Sequence, residues 1–373
     1  MDIGFWIRLN MEDQAEAERG KRMGLMEKTI AEIRGLDREM MNLAQAHQYN
    51  LTKPRGSLGR LEELAVKICG IRRELHPQLK KKRVIVFAGD HGVVEEGVSA
   101  YPKEVSAQMV LNFLNGGAGI NQIARVVGAE VQVVDIGVDY DFPELKGLLK
   151  RKVAKGTKNF TREPAMRIDE TIHAIETGIE LADSSAKDGI SLIAGGDMGI
   201  GNTTPASALF CAYLGLSADE VVGPGTGITP ETLKHKIDVV NRALQKHRDA
   251  FSDPLKTLSA LGGLEIAGLA GLYLGAVKNR LVALVDGFIA SSAALSAIKL
   301  CPLVKEHLIF SHLSEECGHR MALETMGVKP LLNLEMRLGE GTGACLAMAL
   351  VDAALACHNQ MATFQSAGVS DRK

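Results

Sequence analysis

Short aliphatic runs closed by glycine, acid or histidine recur along the middle of this chain: "VIVFAGDHG" (84–92), "VQVVDIGVD" (131–139), "SLIAGGDMG" (191–199), "LVALVDGF" (281–288) and "HLIFSH" (307–312). An apolar run without polar alternation is the pattern of a strand covered on both faces, and helix-length stretches separate these runs. Their alternation predicts a parallel α/β sheet. Ligands of such sheets bind at the carboxyl ends of the strands, which is where this chain places its Asp, His and Gly residues.

The two ends of the chain have a different texture. In "MEKTIAEIRGLDREMMNLAQAH" (26–47), Ile30, Ile33, Leu36, Met40 and Leu43 fall three or four residues apart, predicting an amphipathic helical stripe. "GACLAMALVDAALACHNQ" (343–360) returns to helix. The expected organisation is an N-terminal extension over 1–26, a small helical domain from 27–80 and 330–373, and a large α/β domain over 81–329 carrying the ligand site. "LSALGGLEIAGLAGLYLGAV" (258–277) comes nearest to a membrane span, yet Glu265 and five glycines interrupt it. It is read as a buried helix pair, with no membrane span expected.

Composition removes several classes of function. A chain of 373 residues with 46% hydrophobic and 24% charged residues can bury a large core, and a net charge of −2 gives no electrostatic reason to bind nucleic acid. The six cysteines form no CxxC pair and mostly sit in apolar runs, the usage of a reduced, cytoplasmic protein. The N-terminus has the wrong flanks for a signal peptide.

Candidate chemistry lies in the loops. "GGDMGIGNTTPASALFCAYLG" (195–215) reads as a strand end, a glycine-rich turn and a helix start, an arrangement that converges N–H groups on a phosphate. It lacks the lysine of a P-loop and the third glycine of a dinucleotide fingerprint. "GPGTGITPETLKHK" (223–236) is a second such turn, whose helix Thr229 and Thr232 can cap and whose Lys234 or Lys236 can reach back to a phosphate. In the preceding "LSADEVV", Ser217 with Glu220 reads as a capping box rather than a magnesium-holding acidic pair. His312, Cys317 and His319 match no common zinc spacing, so no metal and no cofactor are assigned. Asp90, Asp286 and His312 are strand-end groups, equally suited to ligand contact or to holding loops together.

"KPRGSLGRLEELA", "FAGDHGVVEEGVSAYPKEVSAQMV", "GGDMGIGNTTPASAL", "GPGTGI", "SHLSEECGH" and "RLGEGTGA" occur in this order between about Glu27 and His358. Together they resemble the nicotinate mononucleotide:5,6-dimethylbenzimidazole phosphoribosyltransferase family of cobalamin biosynthesis. The resemblance implies a homodimer with a Rossmann-like, mostly parallel sheet flanked by helices. It implies transfer of the phosphoribosyl group of nicotinate mononucleotide to a benzimidazole, giving α-ribazole 5′-phosphate and nicotinate. Glu340 then matches the general base, and Asp197 a second active-site acid. Gly199, Ile200, Gly201, Asn202 and Thr203, with Gly225, Thr226, Gly227 and Lys236, would hold the nucleotide phosphate; Asp286 and Ser314 are further nucleotide-site positions. Ser99, Gln108 and Leu338 would line the benzimidazole pocket. Pro224, where many members carry arginine, and Arg55, where an apolar residue is more usual, depart from the family pattern.

This chemistry gives a purpose to Glu340, a lone acid between two glycines. Nicotinate leaves from its nucleotide as a neutral ring nitrogen and needs no proton, whereas the attacking benzimidazole must lose one. One carboxylate is sufficient. Attack from the opposite face inverts C1′. Two other classes stay open: a nucleotide ribosyl hydrolase, which would place water at C1′, and a non-catalytic nucleotide-binding regulator, which would tolerate loss of Glu340.

Overall fold

Along the first aliphatic run, alternate side chains leave opposite faces of the strand, and both sets are buried. Val84, Val86 and Ala88 enter one core and Ile85 and Phe87 another. The run is β1 (Lys82–Gly89), the centre of a six-stranded sheet with β2 (Ala129–Gly137), β3 (Leu148–Lys150), β4 (Leu192–Met198), β5 (Val282–Val285) and β6 (Ile309–Phe310). The computed structural model describes residues 23–225 and 227–370, so residues 1–22 of the expected extension and Thr226 lie outside the described residues.

The strand order is β3-β2-β1-β4-β5-β6 and every pair is parallel. Val84 of β1 registers with Val131 on one side and Ala194 on the other. Connections therefore run outward in both directions from β1 and β4, and the gap between these two strands is the switch point where such sheets hold ligands. This is the α/β architecture the aliphatic runs predict. The strands stop earlier than the runs: Asp90, His91, Asp139, Gly199 and Asp286 follow their strands, whereas Asp197 lies inside β4 and His312 opens a separate short strand. β3 has no sequence signal, being three residues long beside a lysine. A second, two-stranded parallel pair, β7 (His312–Leu313) and β8 (Leu332–Asn333), is likewise too short to read.

Helices cover both faces of the sheet. Ile168–Lys187, Leu264–Lys278 and Phe288–Leu300 line one core; Arg60–Arg72, Glu104–Leu114, Gly119–Val127 and Thr342–Gln360 line the other. The apolar stretch at 258–277 is indeed a buried helix pair, Pro254–Leu261 and Leu264–Lys278, parted at Gly262 and Gly263. Among the described residues one helix, Thr342–Gln360, has the length and apolar content of a membrane span. Its Ala344, Cys345, Met348 and Val351 instead pack in the sheet core with Val84 and Leu284.

The N-terminal stripe needs correction. Helices Leu25–Glu32 and Arg38–Asn50 are separate, because Ile33 is extended and Asp37 starts the second helix by accepting a hydrogen bond from Met40 N at 2.9 Å. The second helix buries Ala44 and Gln48, while Leu43 is exposed. The first helix begins at Leu25 and buries Met26, so regular structure starts two residues before the expected boundary. The chain ends meet: Thr52 N donates to Ala362 O at 3.0 Å, and Asn359 Nδ2 donates to Pro77 O at 3.0 Å.

Candidate active site

The loop after β8 folds over the carboxyl ends of β1 and β4. Gly339, Glu340 and Gly341 all have positive φ, of 82°, 60° and 85°. Only glycine takes two of these cheaply, and a Cβ on Gly341 would stand 2.8 Å from Val84 Cγ1 in the sheet. The glycines press the loop onto the sheet and leave Glu340, at 5% exposure, buried in a left-handed conformation rare for a non-glycine residue. Its carboxylate is not bare. Glu340 Oε2 accepts from Ile120 N at 3.0 Å, at the N-terminus of helix Gly119–Val127, where the helix dipole favours an anion. Burial nevertheless raises its pKa, with the charge of Asp286 adding to the rise and the bonds from Ile120 and Gly119 opposing it.

Asp197, near the end of β4, accepts the same loop: Glu340 N donates to Asp197 O at 3.3 Å. Asp197 Oδ2 accepts from Asn202 Nδ2 at 3.0 Å. Burial and the negative charges of Asp286 and Glu265 push its carboxyl well above the usual range. Asp286, just past β5, accepts from Ala344 N at 2.8 Å and stands 3.6 Å from His312 Nε2; burial raises it too, against the pull of His312. Four buried carboxylates, Asp197, Glu265, Asp286 and Glu340, thus gather around the strand ends. Such a site favours positive charge in a ligand.

The three segments expected to hold a phosphate lie together. The turn Gly199–Asn202 leads into helix Thr203–Leu214, and Lys236 Nζ reaches it from the next long helix, donating to Thr203 Oγ1 at 2.8 Å and to Gly223 O at 3.0 Å. A Cβ on Gly225 would stand 3.0 Å from Thr203 Oγ1 and 3.3 Å from Lys236 Nζ, so the second glycine turn touches both. Lys236 is buried and its pKa is pulled down to about 8 by burial, against the charge of Glu316. Lys234 is exposed. Ile200 N is already spent on Ser106 Oγ at 3.1 Å.

Two cavities share this site. One of about 270 Å³ is lined by Asp197, Asn202, Thr203, Gly225, His312 and Ser314, with Arg337 and Leu338. The other, about 110 Å³, lies along Gly199–Thr203 and adds Ser99 and Lys236. Asp197, Asn202, Thr203 and Leu338 belong to both. Glu340 lines neither; its Oε2 lies behind Leu338, whose side chain is 59% exposed and meets the same point beside Gly119. Gln108 is exposed and lines neither cavity, and Gly227 is exposed. Volume alone does not select the site, since a depression of about 520 Å³ between Met166 and His247 holds none of these carboxylates.

Other expectations resolve locally. Asp90 Oδ2 accepts from Asp139 N at 2.8 Å, tying two loops together. Ser217 and Glu220 form the capping box of helix Ala218–Val221, and Thr229 caps helix Pro230–Lys246. His319 spends one ring nitrogen on Ser314 N and the other on Ser291 Oγ, so neither points to a zinc site with His312. Arg55 stacks on Tyr49, 4.8 Å from the ring centroid. Arg337 was not singled out from sequence; its guanidinium lines the larger cavity and donates to Gly225 O at 3.1 Å, bringing a cation beside Pro224. Glu265 was also missed as a site residue. Its Oε1 lies 2.7 Å from His91 Nε2, both side chains fully buried. The one sequence signal was an acid inside an otherwise apolar run.

A parallel sheet with glycine-rich turns, a buried lysine and carboxylates at its switch point has the architecture of an α/β enzyme with its site at the strand ends. Residues 33–369 match the profile of a family described as phosphoribosyltransferase. A nicotinate-nucleotide–dimethylbenzimidazole phosphoribosyltransferase of Geobacter sp. (strain M21) is 53% identical over 348 residues, 93% of this chain and 100% of the relative. Its namesake from Geobacter sulfurreducens is 51% identical over 349 residues, 94% of this chain and 99% of the relative. The crystal structure of the enzyme of that name from Thermus thermophilus superposes with a TM-score of 0.86 at 46% identity, covering 90% of this chain and 100% of that one. The chain belongs to the nicotinate-nucleotide–dimethylbenzimidazole phosphoribosyltransferase family and is a phosphoribosyltransferase.

Proposed function

We propose that this protein transfers the 5-phosphoribosyl group of nicotinate mononucleotide to 5,6-dimethylbenzimidazole, releasing nicotinate and α-ribazole 5′-phosphate. The observation that carries the reading is the joining of cradle and acid: Lys236 and the Gly199–Thr203 turn at one end, Asp197 at the junction, and the Glu340 loop bonded to Asp197 O. The 5′-phosphate sits on the cradle, with Lys236 and Arg337 supplying charge. Asp286 and Ser314 bound the nucleotide on the β5 and β7 side, and Asp197 faces the ribose and its cationic pyridinium. Ser99 and Leu338 form the benzimidazole wall.

One benzimidazole nitrogen attacks C1′ as the C1′–N bond to nicotinate breaks and its electron pair returns to the pyridine ring. The attacking ring becomes cationic and loses the proton on its other nitrogen to Glu340. A carboxylate pKa raised by burial suits it to accept that proton near neutrality, an effect of about 10²- to 10⁴-fold. Orientation of two flat rings across the ribose contributes more, about 7 to 11 kcal/mol as effective molarity. The cationic pyridinium of the bound nucleotide opposes the rise in the Asp197 pKa and favours its carboxylate, which then acts electrostatically on positive charge at C1′. Glu340 reaches the acceptor once Leu338 shifts to receive the ring. Attack opposite the leaving group turns the β-linkage into an α-linkage.

The same proposal includes a homodimer, with residues 27–80 and 330–373 acting as a small helical lobe. Exposed Tyr101 and Leu338 at the cavity, and exposed Leu334, give a partner apolar surface to cover. Incubation with both substrates, with products separated chromatographically and the anomer assigned by NMR, tests the function. α-Ribazole 5′-phosphate in step with nicotinate supports it. Nicotinate released with ribose 5-phosphate and no ribazole would select the hydrolase instead, and sedimentation as a monomer would remove the dimer.

A further inference from the structure

A second cluster of chemically capable side chains lies in the helices where the chain ends meet. His47 comes from helix Arg38–Asn50, His76 from the loop after helix Arg60–Arg72, and His358 from helix Thr342–Gln360. One ring nitrogen of each lies within 4.8 Å of the others. The rings meet edge to face, with centroids 4.9 Å apart for His47 and His76 and 4.8 Å for His47 and His358. Buried Cys69 places Sγ 3.5 Å from His358 Nε2.

We propose that His47, His76, His358 and Cys69 form a binding site for a first-row divalent cation, with Zn²⁺ the reference ion, which fastens the two chain ends together. Three imidazoles and a thiolate are a donor set that suits tetrahedral Zn²⁺. With Zn–N of about 2.0 Å and Zn–S of about 2.3 Å, a tetrahedral site puts sulfur and nitrogen about 3.5 Å apart. The Cys69 to His358 separation already matches. Ring nitrogens in such a site lie about 3.3 Å apart, so side-chain rotation must draw the imidazoles, within 4.8 Å of one another in the free protein, closer by up to about 1.5 Å.

The surroundings point to the same ligand. His358 Nδ1 lies 2.8 Å from Gln48 Nε2, while buried Gln48 Oε1 has no partner. Turning that amide over gives Nδ1–H an acceptor and leaves Nε2 a lone-pair donor, the outer-shell arrangement of a metal-bound imidazole. His358 Nε2 then gives up its 2.8 Å bond to Leu75 O, in the irregular loop that also carries exposed His76. Binding releases the Cys69 proton to solvent. Helix Thr342–Gln360 begins just after Glu340, and sixteen residues of rise separate Thr342 from His358 by about 24 Å. The ion therefore has a structural role and takes no part in phosphoribosyl transfer.

The test uses tag-free full-length protein, stripped with a chelator and titrated with Zn²⁺ against a chromophoric competitor, then with Co²⁺ as an optical probe. The expected result is one Zn²⁺ per chain, a raised melting temperature, and Co²⁺ bands of tetrahedral intensity with a near-ultraviolet thiolate band. His76→Ala, on an exposed loop and expected to fold as wild type without metal, should weaken binding by about 10- to 100-fold or more. Cys69→Ser should remove the thiolate band. Stoichiometry far below one, affinity unchanged in His76→Ala, or a thiolate band surviving in Cys69→Ser would overturn the proposal.

Discussion

Lys236→Met exchanges a buried ammonium for an apolar side chain of similar length. In the free protein the ammonium holds Thr203 Oγ1 at 2.8 Å and Gly223 O at 3.0 Å, at the mouth of the proposed cradle. A hydrogen bond to a charged group contributes about 1.5 to 3 kcal/mol. At 1.4 kcal/mol per factor of ten, the variant should bind nicotinate mononucleotide about 10- to 140-fold more weakly at neutral pH. The pH dependence sharpens the test. Burial pulls Lys236 down to about 8, so it is charged below that pH and neutral above it. Phosphate binds the charged form. Wild-type affinity should therefore fall as pH rises through about 8, by up to about tenfold per unit, until the higher pKa of the complex is passed. The variant lacks this dependence, and the two proteins should converge near pH 10. Calorimetric titration across this range measures both effects, and a cooperative ligand-free melting transition in the variant separates binding from folding. A variant that binds as wild type, or a ratio that stays flat with pH, would refute the placement of the phosphate.

The remaining predictions use other parts of the site. Leu338→Ala should raise KM for dimethylbenzimidazole about ten- to hundredfold, from a lost contact of about 1.5 to 3 kcal/mol, while leaving the affinity for the nucleotide unchanged; initial rates with each substrate varied decide this. A Cβ on Gly343 would land on the His312 ring, so Gly343→Ala should cost about 1 to 3 kcal/mol in urea unfolding, and a cost near zero would contradict that packing. His91→Ala leaves the Glu265 carboxylate buried beside no partner and should destabilise by about 3 to 5 kcal/mol. Adding Glu265→Leu should recover part of that loss.

The fold was legible wherever long local pattern determines it. Five aliphatic runs became five of the six strands of the main sheet because burial on both faces keeps their central positions aliphatic. β3 was not legible, since Leu148–Lys150 is held by pairing with β2 rather than by its own composition. Strand order is also non-local: nothing in the runs says that Lys82 of β1 pairs with Leu192 of β4, far along the chain. At the site, glycine turns were visible because tight backbone demands glycine. Their convergence on Lys236 was visible only through the family resemblance. The His91–Glu265 pair spans 174 positions, and the His47, His76 and His358 cluster joins three distant segments. Gln108 was legible as part of a characteristic string, but its exposure on the free chain depends on how its helix is turned, which the string does not encode.

In the proposed reaction Glu340 takes the proton of the attacking base. Its most direct test is the pH profile of transfer catalysed by wild type and by Glu340→Gln, a change that keeps an acceptor for Ile120 N but cannot take a proton. The variant should have kcat lower by about 10²- to 10⁴-fold with nucleotide affinity retained. Wild type should show an acid limb above the ordinary glutamate range, as burial requires, that is absent from the variant. A variant with wild-type kcat, or one that keeps the same acid limb, would contradict it.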